Sequence, residues 1–375
     1  MKASWDIFCS VVDNYGDIGV TWRLARQLVA EHDVNVRLWV DDMRAFKRLC
    51  PEADLLALQQ CQQGVEVRQW PSPWQPVDVA DVVIEAFACK LPEAYLQAMK
   101  ARSTPARWIN LEYLSAEEWV AGCHGLPSML PNGLKRIFFF PGFEKGTGGL
   151  LREADLLTRR KAFELDPDAR TSFLQRLGVC VADETRLISL FAYENTGLPS
   201  WLEAMASGSQ ATHLLVPEGR VMGDLLRWLG REDLPFGVVE RRGNLAVQAL
   251  PFVRQEDYDR VLWSCDFNAV RGEDSFVRAQ WAGKPLLWHI YEQEENAHWI
   301  KLDAFLNLYV KGLSLDAAHA FTALWHAWNA GSDMAQSWHA VLKHWTEISE
   351  HAEHWCLEQA LHADLAQALV LCCRN

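Results

Sequence analysis

The sequence lacks the signals that would place it in or across a membrane. Charges interrupt each of its longest apolar runs well before the roughly 18 residues that a spanning helix requires. The first residues hold one lysine, Lys2, followed by Asp6, and contain no apolar core that ends in a small-residue cleavage site. They therefore do not predict a signal peptide. We expect a cytoplasmic protein with no membrane partner.

Common cofactor and metal motifs are also missing. The ten cysteines form no CxxC pair, which in a chain of 375 residues is typical of reduced, mostly buried thiols. No GxGxxG, GxSxG, GxxxxGK[ST] or HExxH occurs, which argues against dinucleotide enzymes, hydrolases, P-loop kinases and zincins. Asp166 and Asp168 match a DxD metal motif in form, but their polar surroundings predict a solvated turn. We expect neither a metal nor a cofactor.

The balance of charge and size limits the partners and the architecture. There are 36 basic and 49 acidic side chains, for a net charge of −13, and such a surface repels nucleic-acid phosphates. Hydrophobic residues make up 50% and charged residues 23%, as in ordinary globular proteins. At about 150 residues per domain, the length predicts two domains. We therefore expect a two-domain protein with no nucleic-acid partner.

Two successive series of short apolar runs alternate with amphipathic stretches. The first series predicts strands at 6–12, 34–40, 65–68, 81–87 and 107–111, with helices at 20–29, 43–50 and 92–100. The second predicts strands at 186–191, 213–216, 245–250, 267–270 and 285–289, with helices at 199–206, 256–263 and 275–282. A glycine-rich and polar junction covers 141–183, and a helical region begins at 292. This alternation predicts an α/β protein with two parallel sheets.

The turn after the first predicted strand carries two carboxylates. Residues 13–19 read DNYGDIG, so Asp13 and Asp17 flank a glycine-containing turn. Ligands of open parallel sheets bind beyond the carboxyl ends of the strands, where this turn lies. In one interpretation Asp17 caps the following helix and Asp13 accepts backbone hydrogen bonds. In the other, at least one of them is a general base.

A second strand end, residues 268–276, reads NAVRGEDSF and leads into a helix. The helix N-terminus and Arg271 would together hold a diphosphate. Glu273 and Asp274 would be repelled by phosphate, so we expect them to face a sugar or a ribose hydroxyl. The alternative is that Asp274 or Ser275 is a plain helix cap.

Aromatic residues follow two further predicted strands of the second series. Phe252 and Gln255 would give a base a flat platform and a polar contact at its edge, and Tyr193 would reach a phosphate. Burial of Phe191 and Phe252 in the core is the alternative.

Together these segments resemble the bacterial elongation factor P arginine rhamnosyltransferases. The resemblance rests on DNYGDIGVTWRLARQL at 13–28, LFAYEN at 190–195, PFVRQEDYD at 251–259 and FNAVRGEDSFVRAQWAGKPLLWHIY at 267–291. It covers essentially the whole chain. It implies a GT-B glycosyltransferase with two Rossmann-like domains facing a central cleft, an acceptor-side domain at 1–165 and a nucleotide-sugar domain at 184–355. A C-terminal helix at 356–375 would pack back on the first domain.

The resemblance also implies the reaction and its residues. L-Rhamnose would move from dTDP-β-L-rhamnose, with inversion, to an arginine of elongation factor P, which would relieve ribosome stalling at polyproline. Asp13 resembles the general base, Asp17 an essential neighbour and Glu273 a second functional carboxylate. The implied donor-binding residues are Asn14, Tyr15, Gly16, Phe191, Tyr193, Phe252, Val253, Arg254, Gln255, Arg271, Gly272, Asp274 and Ser275.

Two other functions remain open from the residues alone. The chain would instead transfer the sugar of a nucleotide sugar to a small-molecule acceptor, or bind a nucleotide sugar without catalysis. A binder of anionic nucleotide sugars gains little from two carboxylates near the sugar, which favours an enzyme.

Overall fold

A computed structural model describes residues 2–11, 15–71 and 73–374. Asp13 and Asn14 therefore lie outside the described residues. The chain divides into two compact units, one formed by Met1–Ala154 with Gln359–Asn375 and the other by Asp155–Glu358. The amino-terminal segment of the first unit thus ends at Ala154, ahead of residue 165.

The first unit alternates strands and helices along most of its length. Its elements before the junction are β1 (Ser4–Cys9), α1 (Gly16–His32), β2 (Asn35–Val40), α2 (Met43–Leu49), β3 (Gln59–Gln62), β4 (Val65–Gln69), β5 (Val82–Ala86), α3 (Glu93–Ala101), β6 (Arg107–Leu111), α4 (Trp119–Cys123), β7 (Pro127–Met129) and β8 (Lys135–Phe139). Within the described residues they form an eight-stranded sheet in the order β3-β4-β2-β1-β5-β6-β8-β7. All pairs are parallel except those of the edge strands β3 and β7.

Strand β1 ends earlier than the sequence predicts. Its apolar run suggested a strand over 6–12, but pairing with β2 and β5 stops at Cys9. Beyond it, the Asp41 carboxylate accepts hydrogen bonds from the Ser10 hydroxyl, at 2.5 Å, and from the backbone N–H of Val11, at 3.0 Å. Beyond Cys9, a side chain therefore replaces the neighbouring strands as hydrogen-bond partner.

A buried carboxylate fixes the centre of the first sheet. Asp6 on β1 is fully buried, and its two oxygens each accept a 2.6 Å hydrogen bond from the Arg37 guanidinium of β2. The Trp39 indole N–H and the Tyr95 hydroxyl complete its coordination. Burial and the charge of Asp6 raise the pKa of Tyr95. Every lone-pair direction of Asp6 is used, so the buried charge is stabilised by hydrogen bonds.

The second unit has the same alternating organisation. Its elements are α5 (Leu156–Leu165), α6 (Pro167–Arg176), β9 (Arg186–Leu190), α7 (Leu198–Ser207), β10 (Thr212–Pro217), α8 (Met222–Leu229), β11 (Val239–Arg242), β12 (Leu245–Leu250), α9 (Gln255–Ser264), β13 (Phe267–Arg271), α10 (Glu273–Trp281), β14 (Leu286–His289), α11 (Ala297–Tyr309), α12 (Leu315–Asn329), α13 (Ala335–Lys343) and α14 (Trp345–Gln359). Its six described strands are ordered β11-β12-β10-β9-β13-β14, with only β11 antiparallel. Strands β10, β12 and β13 are buried throughout, as expected where helices cover both faces.

The polar stretch that suggested a junction is helical over much of its length. Helices α5 and α6 both lie within it, and Asp166 caps α6 by accepting hydrogen bonds from the backbone N–H groups of Asp168 and Ala169. Asp166 therefore has a capping role. The amphipathic pattern that would have predicted α5 is weak, because this helix buries few of its side chains.

The last helix, α15 (Leu365–Arg374), belongs to the first unit and packs on α1. The Gln27 side-chain amide donates to Asp364 at 3.1 Å, and the Arg152 guanidinium donates to the carbonyl of Ala360 at 2.7 Å. Gly149 has a φ of +71°, and a side chain there would collide with the carbonyl of Ala363. The C-terminal segment therefore packs against residue 149 so closely that only glycine fits at this position.

Candidate active site

Both sheets reverse their winding direction at one point. In the first unit the chain goes from β1 to β2 on one side and later adds β5 on the other side of β1. In the second unit β9 likewise lies between β10 and β13. Such a reversal opens a crevice at the carboxyl ends of the two flanking strands, and ligands of doubly wound sheets bind there. Each unit therefore has one preferred ligand position.

The first of these positions holds Asp17. Helix α1 begins at Gly16, and its N-cap residue, Tyr15, makes no side-chain capping hydrogen bond. Asp17 is buried in the first turn, where its carboxylate accepts a hydrogen bond of 3.2 Å from the Tyr113 hydroxyl. Asp17 is thus not the N-cap, so the capping interpretation is wrong for this residue. The N-terminus of α1 presents its partial positive charge to this carboxylate.

Residues that follow two neighbouring strands, β5 and β6, position the Asp17 side chain. Tyr113 lies just beyond β6, and its ring stacks on that of Phe87 with 4.8 Å between the centroids. Phe87 follows β5 directly, and both Phe87 and Ala88 have left-handed backbone angles, with φ of 55° and 56°. Such angles are strained for residues other than glycine and are common at functional sites. The strained backbone thus lies where the Phe87 ring packs on Tyr113, the residue whose hydroxyl donates to Asp17.

The second position is built around a buried arginine. Arg271 is the last residue of β13, and its guanidinium lies over the Phe191 ring at 4.6 Å and over the Tyr193 ring at 4.8 Å. Arg220 approaches Tyr193 from another strand end, at 5.5 Å. Aromatic faces attract cations and hold the planar head in a fixed orientation. The carboxyl edge of the second sheet therefore presents a fixed positive charge.

An open helix N-terminus lies directly beside Arg271. Gly272 is the N-cap of α10, has a φ of 65°, and offers no side chain to the first N–H groups. Glu273 and Asp274 are half-buried in the first turn, and Ser275 is buried. Neither Asp274 nor Ser275 occupies the cap position, so the alternative of a plain helix cap is wrong. Arg271 and the α10 N-terminus together form a suitable anion site.

A buried ion pair fixes the two helices that border this site. The Arg278 guanidinium of α10 donates to Asp259 of α9 through two hydrogen bonds of 2.9 and 2.7 Å. At the open end of the same helices, the Gln255 amide donates to Asp274 at 3.1 Å. Both contacts join α9 to α10, so the segments that begin at Gln255 and Gly272 keep a fixed spacing. Bidentate pairing of this kind adds geometric specificity as well as energy.

Phe191 and Phe252 are half-buried rather than part of the core. The Phe191 ring contacts Tyr258 edge to face at 5.8 Å between centroids. Gly219 lies so close that an added Cβ would come within 3.1 Å of the Phe191 ring. Val253 is half-buried as well, and Arg254 is exposed at the N-cap of α9. These aromatic residues remain accessible for stacking, as a nucleobase requires.

Sequence reasoning missed three residues of these positions, Tyr113, Arg220 and His289. His289 ends β14, where it pairs in register with Arg271, and its ring meets Tyr193 edge to face at 5.2 Å. Arg220 forms an ion pair with Glu194 at 2.8 Å. Each of the three ends or follows a strand that the sequence predicts, so the rule that named Arg271 would also have found them.

Comparison with known proteins agrees with this architecture. Residues 5–374 match the family described as Elongation-Factor P (EF-P) rhamnosyltransferase EarP. The chain belongs to the EarP family. The family expected from the sequence motifs is thereby confirmed.

Relatives of high identity are designated protein-arginine rhamnosyltransferases. A protein-arginine rhamnosyltransferase of Pseudomonas putida is 64% identical over 375 residues, which cover 100% of both chains. Another, from Pseudomonas aeruginosa, is 59% identical over 98% of both. A solved structure described as the structural basis for EarP-mediated arginine glycosylation of translation elongation factor EF-P is 48% identical. It has a TM-score of 0.73 and covers 100% of this chain and 99% of that one.

More distant structures bear on the fold alone. A glycosyltransferase from Rickettsia africae has a TM-score of 0.56 at 11% identity, covering 99% of this chain and 96% of that one. With the two parallel sheets described above, the likenesses confirm the predicted α/β class, a GT-B glycosyltransferase with two Rossmann-like units and a helical C-terminal region.

His289 is neutral near pH 7 in this EarP family member. Burial, and then the positive charge of Arg271, lowers the pKa of His289 to about 4. The unfolded chain binds a proton at His289 near pH 6.5, whereas the folded chain resists it until about pH 4. The contribution of His289 to stability is therefore complete above pH 6.5 and is lost as the pH falls toward 4.

We expect replacement of His289 by asparagine to reduce the acid sensitivity of folding. The free energy of unfolding of the native protein should lose about 2 kcal/mol more between pH 7 and pH 5 than that of His289→Asn. Urea denaturation at several pH values measures the difference, with the exposed His319→Asn as the matched control. Identical pH dependence in both variants would show that His289 is not the group responsible.

Two further findings concern the capacity of the described residues to bind a metal ion and to cross a membrane. Within the described ranges, no three His, Cys, Asp or Glu side chains come together in a group able to hold a metal ion. In the same part of the chain, none of the helices combines the length and the apolar character that crossing a membrane requires.

Proposed function

We propose that this protein transfers L-rhamnose from dTDP-β-L-rhamnose to an arginine side chain of elongation factor P. Membership of the EarP family supports the activity and the acceptor. The anion site formed by Arg271 and the N-terminus of α10 supports a donor that carries a diphosphate. This site is the observation that carries the proposal for the donor.

The donor would bind through its three chemical parts. The diphosphate is held by Arg271 and the first N–H groups of α10, with Tyr193 as a further hydrogen-bond donor. Phe191 and Phe252 provide flat surfaces for the thymine base, assisted by Val253, Arg254 and Gln255. Glu273 and Asp274 interact with hydroxyl groups of the sugars, since carboxylates beside phosphate would be repelled.

The acceptor poses a chemical difficulty that explains the acidic residues of the first unit. A guanidinium has a pKa above 12, and its nitrogen lone pairs are delocalised, so it is a poor nucleophile. Asp13 accepts a proton from it as the new bond forms, and Asp17 holds another N–H group of the same planar head. Tyr113 keeps the Asp17 carboxylate oriented. Asn14, Tyr15 and Gly16 line the sugar side.

Transfer then proceeds as a single in-line displacement. An arginine nitrogen forms a bond to the anomeric carbon while the bond from that carbon to the diphosphate oxygen breaks. The proton passes to Asp13, and the leaving diphosphate is stabilised by Arg271 and α10. The β-linked donor gives an α-linked product without a covalent sugar–enzyme intermediate. Alignment of the two reactants supplies up to about 7–11 kcal/mol of the acceleration.

The cellular role follows from the acceptor. We place the reaction in the cytoplasm, where the modified elongation factor P relieves ribosome stalling at polyproline. No metal and no cofactor takes part in the proposed mechanism, because Arg271 and the helix N-terminus supply the positive potential. The net charge of −13 favours encounter with an acceptor that presents an arginine.

Intact-mass spectrometry tests the proposal. Elongation factor P incubated with the enzyme and dTDP-β-L-rhamnose should gain the mass of one deoxyhexose, which peptide mapping assigns to a single arginine. The Asp13→Asn variant should give no mass gain, yet retain dTDP binding. An unmodified acceptor, with sugar transferred to an added small molecule instead, would contradict the proposal. Binding of dTDP-rhamnose with no transfer to anything would indicate a non-catalytic binding protein.

A further inference from the structure

A second cavity lies at the opposite edge of the first sheet, far from the catalytic strand ends. It has a volume of about 960 Å³. Its walls include the amino ends of β1, β5, β6 and β8, the C-terminal end of α1 at His32, and the end of α15. We call it the amino-edge cavity. Strands of five or six residues rise about 3.3 Å per residue, which places it some 17–20 Å from the carboxyl edge.

Positive charge without a partner collects in the amino-edge cavity. The side chains of Lys100, Arg107 and Lys135 line it, and none of the three side chains forms an ion pair or a hydrogen bond with another described residue. The cavity also contains Asp33 and Asp81, but both carboxylates are already engaged. Asp33 pairs with Lys2 at 2.6 Å. Asp81 pairs with Arg102 at 3.0 Å.

This arrangement is unusual in a chain that carries a net charge of −13. Like charges gathered in one cavity repel one another, and no described carboxylate forms an ion pair with Lys100, Arg107 or Lys135. A bound anion would remove this repulsion and gain several charge-assisted hydrogen bonds at once. Since three cations face one volume, the ligand should carry more than one negative charge.

The other walls indicate how large and how polar the ligand is. Trp5, Trp108 and Ile137 add apolar surface beside the cationic groups. A volume of about 960 Å³ is within the range of small-molecule sites. A small compound with an apolar or aromatic body and several phosphates matches both features. An extended acidic peptide matches the charge but leaves the apolar walls uncovered.

We propose that the amino-edge cavity binds a small molecule carrying two or more phosphate groups, such as a nucleoside polyphosphate. The site is separate from the donor position at Arg271, which lies in the other unit. The inference does not depend on the proposed transfer reaction, since none of the cavity residues takes part in it.

Calorimetric titration of the full-length chain, saturated beforehand with thymidine to occupy the donor position without supplying a phosphate, tests the site. ATP and inorganic pyrophosphate are the probes. We expect about one equivalent of ATP to bind, with affinity reduced at least tenfold in Arg107→Gln/Lys135→Gln. The control, Lys161→Gln/Lys311→Gln, removes two exposed charges of the second unit and should bind ATP like the native chain. Pyrophosphate should bind more weakly than ATP, because it lacks the apolar body.

Three outcomes would overturn the proposal. They are the absence of any binding by ATP, equal affinity in the cavity variant and the native chain, and binding of an oligoglutamate peptide but not of ATP. The last would assign the cavity to acidic peptides instead. If Arg107→Gln/Lys135→Gln does not fold, Lys100→Gln/Lys135→Gln replaces it, because both lysines are exposed. Rhamnosyl transfer should be normal in either variant, so failure here is distinguishable from failure of the proposed reaction.

Discussion

Replacement of Asp17 by asparagine should lower the rate of transfer to elongation factor P by at least a hundredfold. The side chain keeps its shape but loses the charge that would hold a guanidinium, and removal of one preorganised electrostatic contact to the reacting group typically costs a factor of about 10²–10³. The affinity for dTDP should stay within about twofold, because the anion site at Arg271 belongs to the other unit. Single-turnover mass spectrometry and dTDP titration measure the two quantities.

A graded variant separates charge from orientation. Tyr113→Phe keeps the Asp17 carboxylate but removes the 3.2 Å hydrogen bond that orients it. A hydrogen bond to a charged group contributes about 1.5–3 kcal/mol, so we expect a loss of at least tenfold, smaller than that of Asp17→Asn. The combined variant should be no slower than Asp17→Asn alone, since Tyr113 acts through that carboxylate.

The opposite pattern would exclude this role for Asp17. If Asp17→Asn lost dTDP binding and thermal stability together with transfer, the residue would be structural. If transfer continued at the native rate, Asp17 would have no part in the reaction. The melting temperature of Asp17→Asn should fall by only a few degrees, because the helix-terminus interaction that this buried carboxylate loses amounts to at most about 2 kcal/mol.

The elements of the proposed donor position were accessible from the sequence for a clear physical reason. Parallel strands covered on both faces are continuous apolar runs, so β12 and β13 were predicted within a residue of their observed ends. Once a strand end is located, the residues that follow it lie at the ligand edge. This reasoning led to Arg271, and the structure places it against Phe191 and Tyr193.

What remained hidden depends on contacts between distant parts of the chain. The left-handed backbone at Phe87 has no sequence signature, because glycine is the usual residue at such angles and none is present. The pairing of His289 with Arg271 depends on the register of two strands. The amino-edge cavity collects Lys100, Arg107 and Lys135 from three elements that only the fold brings together. Local sequence patterns carry no information about contacts between residues that are far apart in the chain.

Replacement of Arg271 by glutamine should weaken dTDP binding by about 10- to 100-fold. The guanidinium supplies a formal charge and two parallel donors at the strand end, and a hydrogen bond to a charged group contributes about 1.5–3 kcal/mol. At about 1.4 kcal/mol per tenfold change, that loss corresponds to the expected factor. The transfer rate at saturating donor should also fall, because the leaving diphosphate loses its stabilising charge.

Thymidine provides the control that assigns this effect to the diphosphate. It lacks phosphate, so its affinity should be the same for the native chain and for Arg271→Gln. Arg271→Lys should be intermediate for dTDP, because lysine restores the charge but neither the planar fork nor its stacking on Phe191 and Tyr193. Equal weakening of thymidine and dTDP would mean that Arg271 only supports the two rings. A loss confined to dTDP would locate the leaving group at the junction of β13 and α10, where the proposed mechanism requires it.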